Sequence, residues 1–210
     1  MIKNLFFDFG GVFLELDMPR GVKAFEKMGF KEASTYLNAY RQVGFFLQVE
    51  DGSIDAEEYL RQMSEHCGRK IGFDEVQQCW MDFISGIPQY KLDFAKRMQE
   101  KYSVFMVSNI NPFIMRWAFS PAFGEEGKSV DHYFQKLFLS YQMKQVKPDA
   151  AFFEQVLKDT GVDPTESLFI DDGAANVAKA QEFGFQTYHP ANKEDWRQPI
   201  EAILNANKIK

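Results

Sequence analysis

Four short clusters carry residue types that can do chemistry together. They are Asp8 with Gly10 and Gly11 in "NLFFDFGGVFLELD", Ser108-Asn109 after "VFMV", Lys147-Pro148 in "QVKP", and Asp171-Asp172 after "SLFI". Asp8, Asp171 and Asp172 supply hard oxygen ligands, which suit Mg²⁺ held by a few carboxylates, water and a substrate phosphate. Such a cation and Lys147 together would neutralise a phosphate dianion, while the Ser108 hydroxyl, Asn109 and nearby backbone N–H groups could hold its oxygens. One carboxylate oxygen of Asp8 could then attack the screened phosphorus, giving an aspartyl-phosphate that water hydrolyses. Taken singly, each cluster has an ordinary reading: a turn former, a helix cap, a solvated loop, a helix start. Their weight comes from falling together at the carboxyl ends of expected strands, where open α/β sheets bind ligands.

Those strands are expected at Ile2 to Phe7, Ser103 to Val107, Gln135 to Leu139, Ser167 to Ile170 and Phe185 to Tyr188. The first, second and fourth are near-continuous apolar runs, the mark of strands buried on both faces of a parallel sheet. The segment after Lys147 starts with Pro148 and closes near Gly161, as a crossover helix should. Repeated strand–helix–strand order implies an α/β fold, a doubly wound, Rossmann-like parallel sheet. One gap breaks the rhythm: between the first two strands, Met18 to Ile87 reads as helical throughout, with Asp55 as a helix N-cap three positions before Glu58. The expected organisation is a core of residues 1–16 and 88–210 carrying an inserted helical cap, residues 17–87.

Composition narrows the partners. With 210 residues, 45% hydrophobic, the chain can bury a sizeable core. A formal net charge of −6 without a basic block argues against nucleic acid and anionic membranes. No apolar run approaches a membrane span. Cys67 and Cys79 lack metal-ligand spacing, and the chain opens on a strand, so a reducing cytoplasm is expected. The expected partner is a small phosphorylated metabolite, and the expected state a monomer or weak homodimer.

At this point the chain resembles a known group, the haloacid dehalogenase-like hydrolase superfamily. "DFGGV", "VSN", "VKP" and "IDD" are similar to its four motifs in order, across the whole chain. The resemblance implies a Rossmann-like core, a helical cap inserted after the first strand, Mg²⁺ dependence and Asp8 as nucleophile. It also implies that the backbone carbonyl of Gly10 ligates the metal. Most phosphatases of the group carry a second Asp, a general acid and base, where this chain has Gly10. The bacterial α-D-glucose-1-phosphate phosphatases share that glycine, and "SNIN", "LS" and "GSI" in this chain are similar to theirs. An anomeric oxygen is a good leaving group, so a hexose 1-phosphate could dispense with a strong acid catalyst. Asp17 is a candidate for substrate binding or partial acid catalysis, or else a helix N-cap before Met18-Pro19. Two other functions compete. One is a 2-haloacid dehalogenase, with Arg41 resembling a halide-side arginine; the other is a non-catalytic phosphometabolite-binding protein.

Other residues carry weaker signals. His66, His132 and His189 match no metal-ligand spacing and read as surface or capping residues. Phe45, Phe46 and Trp80 could wall a pocket, although aromatics at helical spacing more often fill a core. The turn from Glu50 to Asp55 between two cap helices is a candidate for substrate contact, and Asn176 for support of the turn after the late acids.

Overall fold

The computed structural model describes residues 1–38, 42–125 and 127–207. Arg41 lies outside them. Five parallel strands form the central sheet: β1 (Asn4–Phe7), β4 (Ser103–Ser108), β5 (Lys136–Leu139), β6 (Ser167–Ile170) and β7 (Gln186–Tyr188), in the order β5-β4-β1-β6-β7. β1 is central, with Asn4 in register with Ser103 on one side and Ser167 on the other. The chain moves outward from β1 to β4 and β5, then returns to its other side for β6 and β7. That reversal opens a crevice at the carboxyl end of β1, and the same reversal governs ligand placement in doubly wound sheets generally.

Alternation along β1 explains why every residue in it is buried: Leu5 and Phe7 join the core on one face, Phe6 that on the other. The second face packs Phe6, Phe105, Phe138, Phe152, Phe153 and Phe169 under the crossover helices. Strand edges differ from expectation by one or two residues. Gln135, for example, stays outside β5 because its side-chain Oε1 accepts from Val104 N at 3.0 Å.

Helices α1 (Met18–Met28), α2 (Ala33–Tyr36), α3 (Gly44–Asp51), α4 (Ala56–Cys67) and α5 (Phe73–Met81) fill the long gap. Asp55 caps α4, accepting from Glu58 N at 2.9 Å. These helices pack around an aromatic cluster in which Phe25, Phe30, Phe46, Tyr59, Trp80 and Phe83 make edge, tilted and stacked ring contacts, arrangements that add to the gain from area burial. A feature absent from the sequence reading joins the two ends of the stretch. β2 (Glu15–Leu16) pairs antiparallel with β3 (Ile84–Gly86), so the chain leaves the sheet and returns to it through one narrow ribbon. Asn192 braces this ribbon, bonding both the N–H and the carbonyl of Leu16.

The remaining helices, α6 (Gln89–Met98), α7 (Pro112–Ala118), α8 (Ser140–Met143), α9 (Ala150–Thr160), α10 (Ala174–Glu182) and α11 (Arg197–Ala206), flank the sheet. The expected crossover helix is α9, which ends on Gly161 in the left-handed conformation. Cys67 and Cys79 are free thiols. No helix among the described residues is long and apolar enough to cross a membrane.

Candidate active site

Asp8 follows β1, Ser108 ends β4, and Asp171 and Asp172 follow β6, so parallel register alone brings three of the four clusters to one sheet edge. Lys147 arrives from the loop before α9. Its Nζ lies 2.9 Å from Asp8 Oδ1 and 2.6 Å from Asp171 Oδ2, and donates to the carbonyl of Val107 at 2.8 Å. All three ammonium hydrogens thus have an acceptor, which fixes the side chain. Asn109 clamps the lysine's backbone from both sides: its Nδ2 donates to Lys147 O and its Oδ1 accepts from Lys147 N, each at 2.8 Å.

Asp171 is wholly buried. Besides Lys147 it receives Gly173 N at 2.8 Å and Asn176 Nδ2 at 2.9 Å on Oδ1. Asn176 therefore supports the turn after the late acids. Asp8, Asp171 and Asp172 each offer an oxygen within 4.8 Å of the others.

Electrostatics follow from three carboxylates meeting one lysine. Burial pushes the Asp8 carboxyl up to about 7 against the pull of Lys147, and Asp171 and Asp172 add repulsion. Burial likewise raises Asp172 to about 6, helped by Asp171. For Lys147 burial alone would disfavour the charge, but Asp171 and Asp8 outweigh it and its pKa is raised. The cluster is thus short of positive charge, and its donors are all oxygens. Both properties fit a hard divalent cation.

Gly11 has a left-handed φ of 70°, and a Cβ built on it would lie 1.9 Å from Asp172 Oδ2. Glycine is required there on both counts. Gly10 is different: a Cβ would meet only Leu16 Cδ1, at 3.6 Å. His189 Nε2 lies 2.8 Å from the carbonyl of Asp172, behind the acid rather than in front of it.

A cavity of about 530 Å³ opens above these residues, within the range usual for small-molecule sites. Asp8, Gly10, Asn109, Lys147 and Asp172 line it, with Gly173 to Asn176 from the start of α10. Its opposing apolar lining comes from the ribbon and helices: Leu14, Leu16, Met18, Trp80, Phe83, Ile84, Ile110 and Ile114. Ser108 is not among the lining residues; it is buried, with Oγ 3.4 Å from the Asn109 carbonyl.

Of the weaker candidates, Trp80 and Glu50 reach the cavity. Phe45 and Phe46 are core. Asp17 stands elsewhere. It is the N-cap of α1, accepting from Arg20 N at 3.1 Å, and borders an outer depression with Arg20, Lys23 and Asp82. Its carboxylate is held by a helix start, so of the two sequence expectations the structure gives the cap. Gly11's close approach, the Val107 acceptor and the aliphatic wall were not anticipated; only the glycine pair itself hinted at the first.

Comparison with known proteins agrees with this geometry. Residues 2–184 match the haloacid dehalogenase-like hydrolase family, and the chain belongs to that family; it is a hydrolase. A D-ribitol-5-phosphate phosphatase of Bacteroides thetaiotaomicron is 43% identical over 206 residues, covering 98% of this chain and all of the relative. A predicted hydrolase of the same family from Porphyromonas gingivalis superposes with a TM-score of 0.94 at 35% identity, covering 97% of this chain and 98% of the other. A structure of a Bacteroides thetaiotaomicron enzyme of the family, solved in complex with magnesium and inorganic phosphate, gives 0.87 at 38% identity, over 95% and 99% of the two chains.

Proposed function

We propose that the chain is a Mg²⁺-dependent phosphomonoester hydrolase acting on a small sugar or sugar-alcohol phosphate, with Asp8 as nucleophile. The observation that carries this reading is Asp8 itself: a buried carboxylate held on one oxygen by Lys147, beside Asp172, at the floor of the cavity. The phosphatase relative, matched over its whole length, and the magnesium and phosphate held in the solved Bacteroides thetaiotaomicron structure support it.

In this mechanism Lys147 fixes Asp8 Oδ1 and turns the other oxygen towards the phosphorus. A bond forms between that oxygen and phosphorus while the bond to the leaving oxygen breaks, and the leaving oxygen departs as the alcohol with a proton from solvent water, which the later hydrolysis step returns. Water then attacks the phosphorus of the aspartyl-phosphate, releasing inorganic phosphate and restoring Asp8. Asp8, Asp172 and the carbonyl of Gly10 would hold the Mg²⁺, which when bound offsets charge on the phosphoryl oxygens. Asp171, whose oxygens already serve Lys147, Gly173 and Asn176, acts mainly by orienting Lys147. Asn109 bounds the phosphate side through its grip on Lys147, while Ser108, buried beneath it, supports the turn.

Two substrate classes divide the family reading. The vacancy at Gly10 favours an ester whose leaving group needs little acid assistance, such as a hexose 1-phosphate. The named relative favours a pentitol phosphate esterified at a primary alcohol, which needs a proton from elsewhere. Helices α1 to α5, as a cap, would make that choice. Dehalogenation at carbon makes no use of the Asp172 carboxylate beside Asp8, and a purely binding role makes none of the fixed nucleophile.

Phosphate release from ribitol 5-phosphate, glucose 1-phosphate and glucose 6-phosphate, with Mg²⁺ or chelator, tests the proposal. Turnover is expected on one or more esters, lost with chelator and reduced by at least about 10³-fold in Asp8→Asn. Asp8→Asn retaining more than about a tenth of the activity would overturn the nucleophile assignment.

A further inference from the structure

Glu50 is a carboxylate on the wrong side of the cavity for the chemistry above. It sits in the last turn of α3, is 8% exposed, and lines the same cavity as Asp8. Its surroundings are built rather than accidental. Asn111, the N-cap of α7, lies beside its carboxyl and favours the charged form. The Tyr59 hydroxyl is close enough to feel the Glu50 charge and is paired with the indole of Trp80, a second lining residue of that cavity. Among the described residues Asn111 is thus the one side chain that hydrogen-bonds the Glu50 carboxyl, and a buried carboxyl with so few partners is costly until a further group bonds it.

We propose that Glu50 is a specificity-determining residue whose carboxyl group binds a hydroxyl of the substrate's polyol part while the phosphate sits at Asp8. The inference rests on the sugar-phosphate reading and names what reads the sugar. Burial pushes the Glu50 carboxyl up to about 8, against which Asn111 works and to which Asp51 adds. At neutral pH it is therefore protonated, as a carboxylic acid can be in an apolar site. A neutral carboxyl both donates and accepts, matching an alcohol that does the same, and adds no charge to repel an incoming phosphate dianion. An uncharged polyhydroxylated group is the chemistry this wall accepts.

The test is binding to the full chain with Mg²⁺ present, in an Asp8→Asn background that prevents turnover. Ribitol 5-phosphate, glucose 1-phosphate and inorganic phosphate are titrated calorimetrically against Glu50, Glu50→Gln and Glu50→Leu proteins. Glu50→Leu should lower affinity for at least one sugar ester by about tenfold more than for inorganic phosphate, the expectation for one lost buried hydrogen bond. Glu50→Gln, which keeps a donor and an acceptor, should restore affinity to within about threefold of Glu50. Equal losses for ester and inorganic phosphate would mean a structural role and overturn the proposal, as would no loss at all. Glu50→Gln as weak as Glu50→Leu would point to a proton-transferring acid instead, and also overturn it. Should Glu50→Leu not fold, Glu50→Ala, which removes the carboxyl without adding bulk, takes its place with the same expected losses. Because binding is read without turnover, failure of the phosphatase reading would appear separately, as absence of phosphate release by the Asp8 enzyme.

Discussion

Replacing Gly11 with alanine should cost the site its metal, while the same change at the neighbouring Gly10 should be borne far better. Two penalties meet at Gly11. An alanine held at a φ of 70° costs about 1 to 2 kcal/mol of backbone strain, worth roughly 2 to 8 °C in Tm for a chain of this size. The larger effect is local: the new methyl carbon would stand 1.9 Å from Asp172 Oδ2, so that oxygen must retreat by about 1.5 Å to reach ordinary contact. Magnesium demands ligands near ideal octahedral positions, and a displacement of about 1 Å in a catalytic group costs on the order of a hundredfold in rate. Gly11→Ala should therefore raise half-saturating Mg²⁺ at least about tenfold and lower kcat/KM about a hundredfold. Gly10→Ala keeps its carbonyl, meets only Leu16 at 3.6 Å, and should change each by less than about tenfold. Phosphate release against Mg²⁺ concentration, with thermal unfolding of each variant, measures both. Wild-type Mg²⁺ dependence in Gly11→Ala, or equal damage in the two variants, would refute the reasoning.

The room at Gly10 also permits Gly10→Asp, which should raise turnover of primary-alcohol phosphates more than that of 1-phosphates; an unchanged ratio of kcat/KM values would show that another group already supplies the proton. Asp17→Ala should lower stability by about 1 kcal/mol through loss of the α1 cap and leave substrate preference alone, so altered preference in a substrate panel would contradict the capping role. Glu50 predicts a pH effect on stability. Its carboxyl is raised from 4.5 to about 8, so the folded chain holds that proton more tightly than the unfolded one. The stability this contributes is full below about pH 4.5 and lost as pH rises to about 8. Across that window the Tm of the wild type should fall relative to Glu50→Gln, and parallel curves would mean that the carboxyl is not buried as a neutral acid.

Much of the framework was legible before any coordinates. Near-continuous apolar runs such as "NLFF" and "SLFI" read as strands covered on both faces, and in a parallel sheet the acids that follow them, Asp8 and Asp171-Asp172, then share one edge. Capping chemistry announced itself locally too, at Asp55 and Gly161. What stayed hidden depends on separations that no periodicity records. The β2–β3 ribbon pairs Leu16 with Ile84 through segments too short to show alternation. Lys147 finds Val107, Asp8 and Asp171 from three different elements. Asp17 and Glu50 are the sharpest contrast: both are acids within the helical stretch, and only packing makes one a half-buried helix cap and the other a buried lining residue. A side chain's type sets which bonds it can make, but its charge state and partners are set by what excludes water from it, and for Glu50 that is a shell drawn from α3, α4, α5 and the start of α7, assembled only when the chain folds.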